Sequence, residues 1–228
     1  MINSQDIKKA YDKTYTELGS GVLWATEKWR DDGVNLMVDF VLKNNIPHSS
    51  LLDYGAGTGH FAVAFKDKLS IPKVVAADIS EVAVDKRLLS QHGINFLQAA
   101  QPKEVGGKYD LILCWTVLMS FNPEQRKEFL AQFSKMLNEK GVLLIGTMSS
   151  RDKYFDGSEK KFSPYGIPMY AHSEQMFEDQ TALDLIGLTP LVKGDLIHKL
   201  DDCHAQKMTV PERLLRYCFL QKQKEQSK

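Results

Sequence analysis

The chain has 228 residues, with 29 basic and 29 acidic side chains and no formal net charge. That length suits one domain with a core on both faces of a sheet, and the balanced charge carries no overall footprint for nucleic acid. Three scattered cysteines argue against a disulfide framework and for a reducing compartment; a polar N-terminus without a signal peptide, and no apolar run of spanning length, point to a cytoplasmic protein with no membrane contact.

In chain order, residues 1–50 read as an N-terminal helical cap. The run Leu51-Leu52-Asp53-Tyr54-Gly55-Ala56-Gly57-Thr58-Gly59-His60-Phe61 follows. An apolar strand ends in an acid, three glycines stand at every second position, and an apolar helix begins. Glycines so spaced turn the backbone sharply and admit a ligand that a Cβ would block. The helix N-terminus beyond offers N–H groups to an anionic group. The order Gly55-x-Gly57-x-Gly59 is one residue shorter than the dinucleotide fingerprint, and the Asp53 carboxylate suits a cationic amino group better than a pyrophosphate. A glycine-rich turn with no ligand is the alternative.

About twenty residues on, where a nucleotide-binding βαβ unit carries its ribose-binding acid, the apolar strand Val74 to Ala77 ends in Asp78. A carboxylate there can accept both ribose hydroxyls; an ordinary acid at a strand end is the other reading. Ser80 is placed to cap the next helix, with Glu81 in its first turn. Ile94 to Leu97 reads as a third strand and Tyr109 to Trp115 as a fourth, which puts Asp53, Asp78 and Cys114 at the carboxyl ends of strands, where open α/β sheets bind ligands. Pro123 to Leu137 has helical spacing, with Asn138 to Gly141 ending the helix and Gly141 to Met148 a buried fifth strand. Ser149 to His172 shows no regular pattern. Ser173 to Ile186 reads as a helix, Leu188 to Ile197 and Arg213 to Gln221 as sixth and seventh strands, and 222–228 as a polar tail.

These motifs resemble class I S-adenosylmethionine (SAM)-dependent methyltransferases over most of the chain from about Leu51 to Gln221. The resemblance implies an α/β, Rossmann-like fold: a seven-stranded, mostly parallel sheet with helices on both faces and a C-terminal antiparallel hairpin. It implies one methyltransferase domain over 1–228, with 51–148 the SAM-binding core, 149–172 a substrate loop and 173–221 the C-terminal helix and hairpin. It also implies SAM as cofactor, S-adenosylhomocysteine (SAH) as product, and donor contacts from Asp53, Gly55, Gly57, Gly59, Asp78 and Ile79, the last against adenine. Tyr109-Asp110-Leu111-Ile112 takes the family form of the fourth strand, whose end at Cys114 falls beside the donor. The family's usual acid after the third strand is missing. Ala99, Ala100 and Gln101 stand there instead, so the Gln101 amide oxygen or a backbone carbonyl is left to meet the adenine amino group.

The acceptor signals are less specific. Tyr11-Asp12-Lys13-x-Tyr15 and Leu23-Trp24 resemble the N-terminal pattern of branches that methylate small molecules, where such aromatics close over donor and acceptor; an amphipathic helix packed on the sheet fits them equally. The connection Ser149 to His172 is long for a loop without structure and carries Tyr154, Phe155, Phe162, Tyr165 and Tyr170. With Trp115 these suit a largely apolar small acceptor, and a disordered surface loop is the alternative. His172 and Tyr165 are candidate bases by position alone, with structural roles open to both. His198, Asp201, Asp202, Cys203 and His204 are metal-ligand types in a spacing that matches no familiar zinc site, so no metal is expected. An RNA or protein methyltransferase would carry a basic face or a dedicated acceptor motif, and no such motif is present. A SAM-binding module without catalysis shares the donor loop.

Overall fold

The computed structural model describes residues 4–18, 27–150, 155–163, 166–172, 183–188, 192–194 and 213–222. Two helices come first, α1 (Ser4–Leu18) and α2 (Glu27–Lys43). Then strands and helices alternate: β1 (Ser50–Tyr54), α3 (His60–Leu69), β2 (Lys73–Asp78), α4 (Lys86–Gln91), β3 (Asn95–Gln98), α5 (Pro102–Val105) and β4 (Tyr109–Trp115). A 3₁₀ turn (Leu118–Ser120), α6 (Pro123–Met136) and β5 (Leu137–Met148) follow. The chain then forms β6 (Lys160–Phe162), β7 (Pro168–Tyr170), β8 (Leu183–Leu188), β9 (Val192–Gly194) and β10 (Arg213–Lys222).

The main sheet runs β3-β2-β1-β4-β5-β10-β8. The five strands from β3 to β5 pair in parallel, and β10 pairs antiparallel with β5, β8 and β9. The order reverses between β1 and β4, so their carboxyl ends open a crevice at the switch point. Strand alternation divides the core. Leu51, Leu111, Leu113, Trp115 and Leu144 face α2 and α3, where Met37, Val41 and Phe65 are buried. Leu52, Ile112, Cys114, Leu143 and Ile145 face Phe129, Leu130 and Phe133 of α6. Both faces are covered, which is why these strands read as continuous apolar runs.

Several expected elements shift. The position of the sixth strand is shared by β8 and β9, which pair with different parts of β10, so the expected seven strands become eight in this sheet. Residues 183–186, expected as the end of a helix, lie in β8, because Leu183, Asp184 and Leu185 take up the ladder of β10. The rest of that expected helix, 173–182, falls outside the described residues. The helix α6 ends at Met136 and β5 starts at Leu137, so Asn138 to Lys140 belong to the strand: Tyr109 already pairs with Leu137, with a register shift before Leu111. Ser80 does not cap a helix. Asp85 is the N-cap of α4, accepting from the Leu88 N–H at 2.9 Å. The connection 149–172 is not structureless either, since β6 and β7 pair as a small antiparallel hairpin and Phe155 is fully buried in the core.

Candidate active site

The loop after β1 is shaped by its glycines. Gly55, Gly57 and Gly59 have φ of +78°, +53° and +88°, a region L side chains rarely adopt. A Cβ on Gly55 would lie 2.1 Å from Val117 Cγ2, and one on Gly59 2.5 Å from Leu89 Cδ2. Gly55 N–H and Ala56 N–H both donate to the Ala77 carbonyl, at 2.7 and 3.0 Å, which ties the loop to the end of β2.

Asp78 locks the same junction. Its Oδ2 accepts from Gly57 N–H and its Oδ1 from Ser80 N–H, each at 2.8 Å. Asp53 lies beneath the loop, 2% exposed, and its Oδ2 has no hydrogen-bond partner. Burial, and then the neighbouring Asp78 carboxylate, push the Asp53 carboxyl up to about 7. Burial pushes Asp78 up to about 6, against the N–H groups of Ser80, Gly57 and Ile79 that favour its charge. Two buried carboxylates side by side are destabilising unless something cationic or hydrogen-bonding arrives between them.

The helix α1 lies over this junction. Ser80 Oγ donates to Asp12 Oδ1 at 2.6 Å. Tyr15 is buried with its hydroxyl 3.0 Å from where a Gly57 Cβ would stand, and its ring stacks on Tyr11 at 6.4 Å. The Tyr11 hydroxyl bonds Ser120 Oγ at 3.0 Å, and burial raises its phenol to about 12.

A cavity runs from this junction toward the β6–β7 hairpin. At one end stand Tyr54, Gly55, Asp78, Ile79 and Ala100. The middle is walled by Tyr11, Tyr15, Trp115, Thr116 and Val117. The far end holds Met119, Ser120, Phe121, Ser163, Ile167 and Met169. Thr116 has φ +53°, an outlying conformation for a β-branched residue, held by its N–H bond to the Gly146 carbonyl at 2.7 Å.

Of the residues expected from sequence, Gly55, Asp78, Ile79, Ala100, Tyr11, Tyr15 and Trp115 line this cavity. Gly57 and Gly59 shape the loop behind it. Gln101 is the N-cap of α5, beside Ala100; its buried Oε1 faces the Glu104 N–H in a capping box without closing a hydrogen bond of normal geometry. Cys114 points into the α6 face of the core, where burial raises its thiol well above the ordinary range. Tyr170 is off the wall, beside Lys160, and Phe162 is half exposed. Tyr165, Tyr154 and Trp24 fall outside the described residues, as does the segment His198 to His204. His172 is buried off the wall: its Nδ1 bonds Thr147 Oγ1, its carbonyl accepts from Ser150 N–H at 2.8 Å, and burial, with the Arg126 guanidinium nearby, holds its imidazole neutral. Thr116, at the strand end that the family resemblance puts beside the donor, lines the cavity too; sequence reasoning missed Val117, Met119, Ser120 and Phe121, and Ser163, Ile167 and Met169. The available signal for the first group was position, directly after the carboxyl end of β4.

A family model described as a methyltransferase domain matches residues 27–187. The chain belongs to the class I SAM-dependent methyltransferases. No curated protein matches it in sequence. Among solved structures, the methyltransferase resembles a Burkholderia thailandensis 1,6-didemethyltoxoflavin-N1-methyltransferase with bound 1,6-didemethyltoxoflavin and SAH (TM-score 0.67, 14% identity, 97% of this chain and 91% of that one). It also resembles the magnesium protoporphyrin IX methyltransferase of Synechocystis with SAH (TM-score 0.58, 15% identity, 94% of each chain). A third similar structure concerns conversion of a disulfide bond into a thioacetal group during echinomycin biosynthesis (TM-score 0.68, 13% identity, 97% of this chain and 93% of that one). At these identities the likeness is one of fold. SAM is the cofactor of this methyltransferase, and the buried site fits it: beside the positive-φ glycine loop, the orphaned Asp53 Oδ2 and the Asp78 carboxylate are acceptors for a cation and for hydroxyls. Among the described residues no helix is long and apolar enough to cross a membrane, and no three His, Cys, Asp or Glu cluster as a metal site.

Proposed function

We propose that this methyltransferase acts on a small, largely apolar acceptor, with residues 51–148 holding the donor and 1–50 together with 149–172 covering the acceptor. The observation that carries this is one cavity lined both by Gly55 and Asp78 and by Phe121, Ile167 and Met169. Asp78 keeps lone-pair capacity for the ribose hydroxyls, since a carboxylate offers about four acceptor sites and Gly57, Ser80 and Ile79 N–H groups engage three at most. Asp53 is the counter-charge for the amino group, Ile79 and Ala100 flank adenine, and Gln101 Oε1 takes the adenine amino group.

Bound SAM supplies a sulfonium methyl carbon that is already electrophilic. The chain then has to align the nucleophile behind that carbon and keep water out. Tyr11 and Tyr15 of α1, the run after β4 (Trp115 to Val117 and Met119 to Phe121) and Ile167 and Met169 of the hairpin wall the cavity. Positioning therefore supplies most of the acceleration. The 1,6-didemethyltoxoflavin held by the Burkholderia neighbour and the magnesium protoporphyrin IX named for the Synechocystis one support a small acceptor.

The test is to incubate the chain with methyl-labelled SAM and a cell extract, then separate small molecules from RNA and protein. Label in a low-molecular-weight product is expected. Label confined to RNA or protein would refute the acceptor class.

A further inference from the structure

Two serines stand in the otherwise apolar far half of the cavity, and Ser163 Oγ already accepts from Ile167 N–H at 3.0 Å, which leaves Ser120. Tyr11 of α1 and Ser120 of the 3₁₀ turn meet hydroxyl to hydroxyl at 3.0 Å, from positions 109 residues apart in sequence. Both line the cavity, and Ser120 is 3% exposed. Met119, Phe121, Ile167 and Met169 surround this end. Among the described residues on the wall, Asp78 is the single charged side chain, and it belongs to the donor end.

A phenol is a stronger proton donor than an alcohol, so the bond runs from Tyr11 O–H to Ser120 Oγ. The Ser120 hydroxyl then has its own proton and a second lone pair to offer into the cavity. We propose that Ser120, oriented by Tyr11, is the polar anchor for the acceptor, and that the acceptor is uncharged, flat and largely apolar, with one hydroxyl, carbonyl or ring nitrogen at its edge. Aromatic side chains on the wall, Trp115 and Phe121 among them, suit a flat molecule. A charged acceptor would be stripped of water here against no opposite charge on the described far wall, which is unfavourable. The raised phenol of Tyr11 fits the same role, because it stays protonated and orients without acting as a base. The inference rests on reading the cavity as the methyl-transfer site.

The test uses the full chain saturated with SAH and four probes: 1-naphthol, naphthalene, 1-naphthoate and 1-naphthylmethylammonium. Calorimetry is expected to show 1-naphthol binding about tenfold tighter than naphthalene, the effect of one neutral hydrogen bond, and the two ions binding weaker than either. Ser120→Ala and Tyr11→Phe should each erase the preference of naphthol over naphthalene while SAH affinity stays within about threefold. A preference that survives both substitutions overturns the anchor. Equal or tighter binding of an ion overturns the acceptor class, as does failure of all four probes on protein that holds SAH. Loss of SAH affinity in the variants, with the fold intact by circular dichroism, reassigns the pair to the donor. Failure of the unaltered chain to bind SAH at all sinks the methyl-transfer reading and this inference with it.

Discussion

Replacing Asp53 by Asn exchanges a buried ionisable group for an uncharged one of the same shape. In the unfolded chain the carboxyl titrates at its ordinary 3.8; in the fold, burial and Asp78 hold it up to about 7. The folded state therefore binds the proton more tightly. Well below pH 3.8 both states are protonated and Asp53 carries no electrostatic penalty. As pH rises from there toward 7, the unfolded chain ionises first and the fold loses stability by about 1.4 kcal/mol per pH unit, reaching ~4 kcal/mol. Asp78 acts with the same sign up to about pH 6, and the two carboxyls titrate as a pair, so their effects do not simply add. Local relaxation trims the figure, and about 3 kcal/mol corresponds to roughly 6–12 °C in a chain of this size. The Asn amide adds an offset of its own, which is independent of pH. The expected result is thus a slope: without SAM, the melting temperature of Asp53→Asn minus that of the parent rises by about 6–12 °C between pH 4.5 and 8. Calorimetric scans across that range measure it. In the same variant SAM affinity should fall at least about tenfold, because an amide is no counter-charge for the amino group. A difference in melting temperature that stays flat with pH would refute the argument that a strained acid is retained beneath the loop for its ligand.

Asp78→Ala should weaken SAM binding by about 2–4 kcal/mol through lost ribose contacts, and also lower the melting temperature by leaving Gly57 N–H and Ser80 N–H unpaired; calorimetry showing unchanged affinity would remove Asp78 from the donor site. Replacing 160–170 by a short glycine linker between Glu159 and Ala171, which already meet at 2.9 Å, should abolish methyl transfer and leave SAM affinity within a few-fold; a folded variant that lost donor binding would refute the proposed division between donor and acceptor regions. His172→Ala should mainly cost stability, about 1–3 kcal/mol for the lost Thr147 bond and packing, with transfer slowed less than tenfold. Since burial holds this imidazole neutral, the parent loses stability as pH falls below 6.5 and the variant should lose less there. A rate fall of about 10²–10⁴ together with loss of the acidic limb of the pH–rate profile would make His172 the base instead.

The parallel half of the sheet was legible because its signals are local. Leu51 to Gly59, Val74 to Asp78 and Tyr109 to Trp115 each announce a buried strand whose end faces the crevice, and all three lie where periodicity put them within a residue or two. The C-terminal part was less legible. Leu183 to Leu188 carries apolar residues at a spacing that suits a helix as well as a strand, and the choice is made by β10, some thirty residues later in the chain. The break between α6 and β5 was displaced for a similar reason. Asn138-Glu139-Lys140-Gly141 has the composition of a helix stop, yet the pairing of Leu137 with Tyr109 draws the strand back to the helix end.

The same division holds within the site. The proposed donor end draws on one loop and two strand ends, so its residues sit close together in sequence, and Asp53, Gly55 and Asp78 were reached from spacing. The acceptor end is built by elements that meet only in three dimensions: α1, the turn after β4 and the β6–β7 hairpin. Aromatic content drew attention to Phe155, Phe162 and Tyr170, but Phe155 fills the core, Phe162 is exposed and Tyr170 sits beside Lys160. The wall is formed instead by Ile167 and Met169, and by Ser120, which composition cannot distinguish from any other serine. What marks Ser120 is a partner 109 residues away, and only the fold brings Tyr11 to it. Chemistry common to a family can therefore be written in a short motif, while the residues that select an acceptor depend on long-range contacts. In this chain that difference separates Asp78, whose proposed role follows from a strand end, from Ser120, whose proposed role follows from packing.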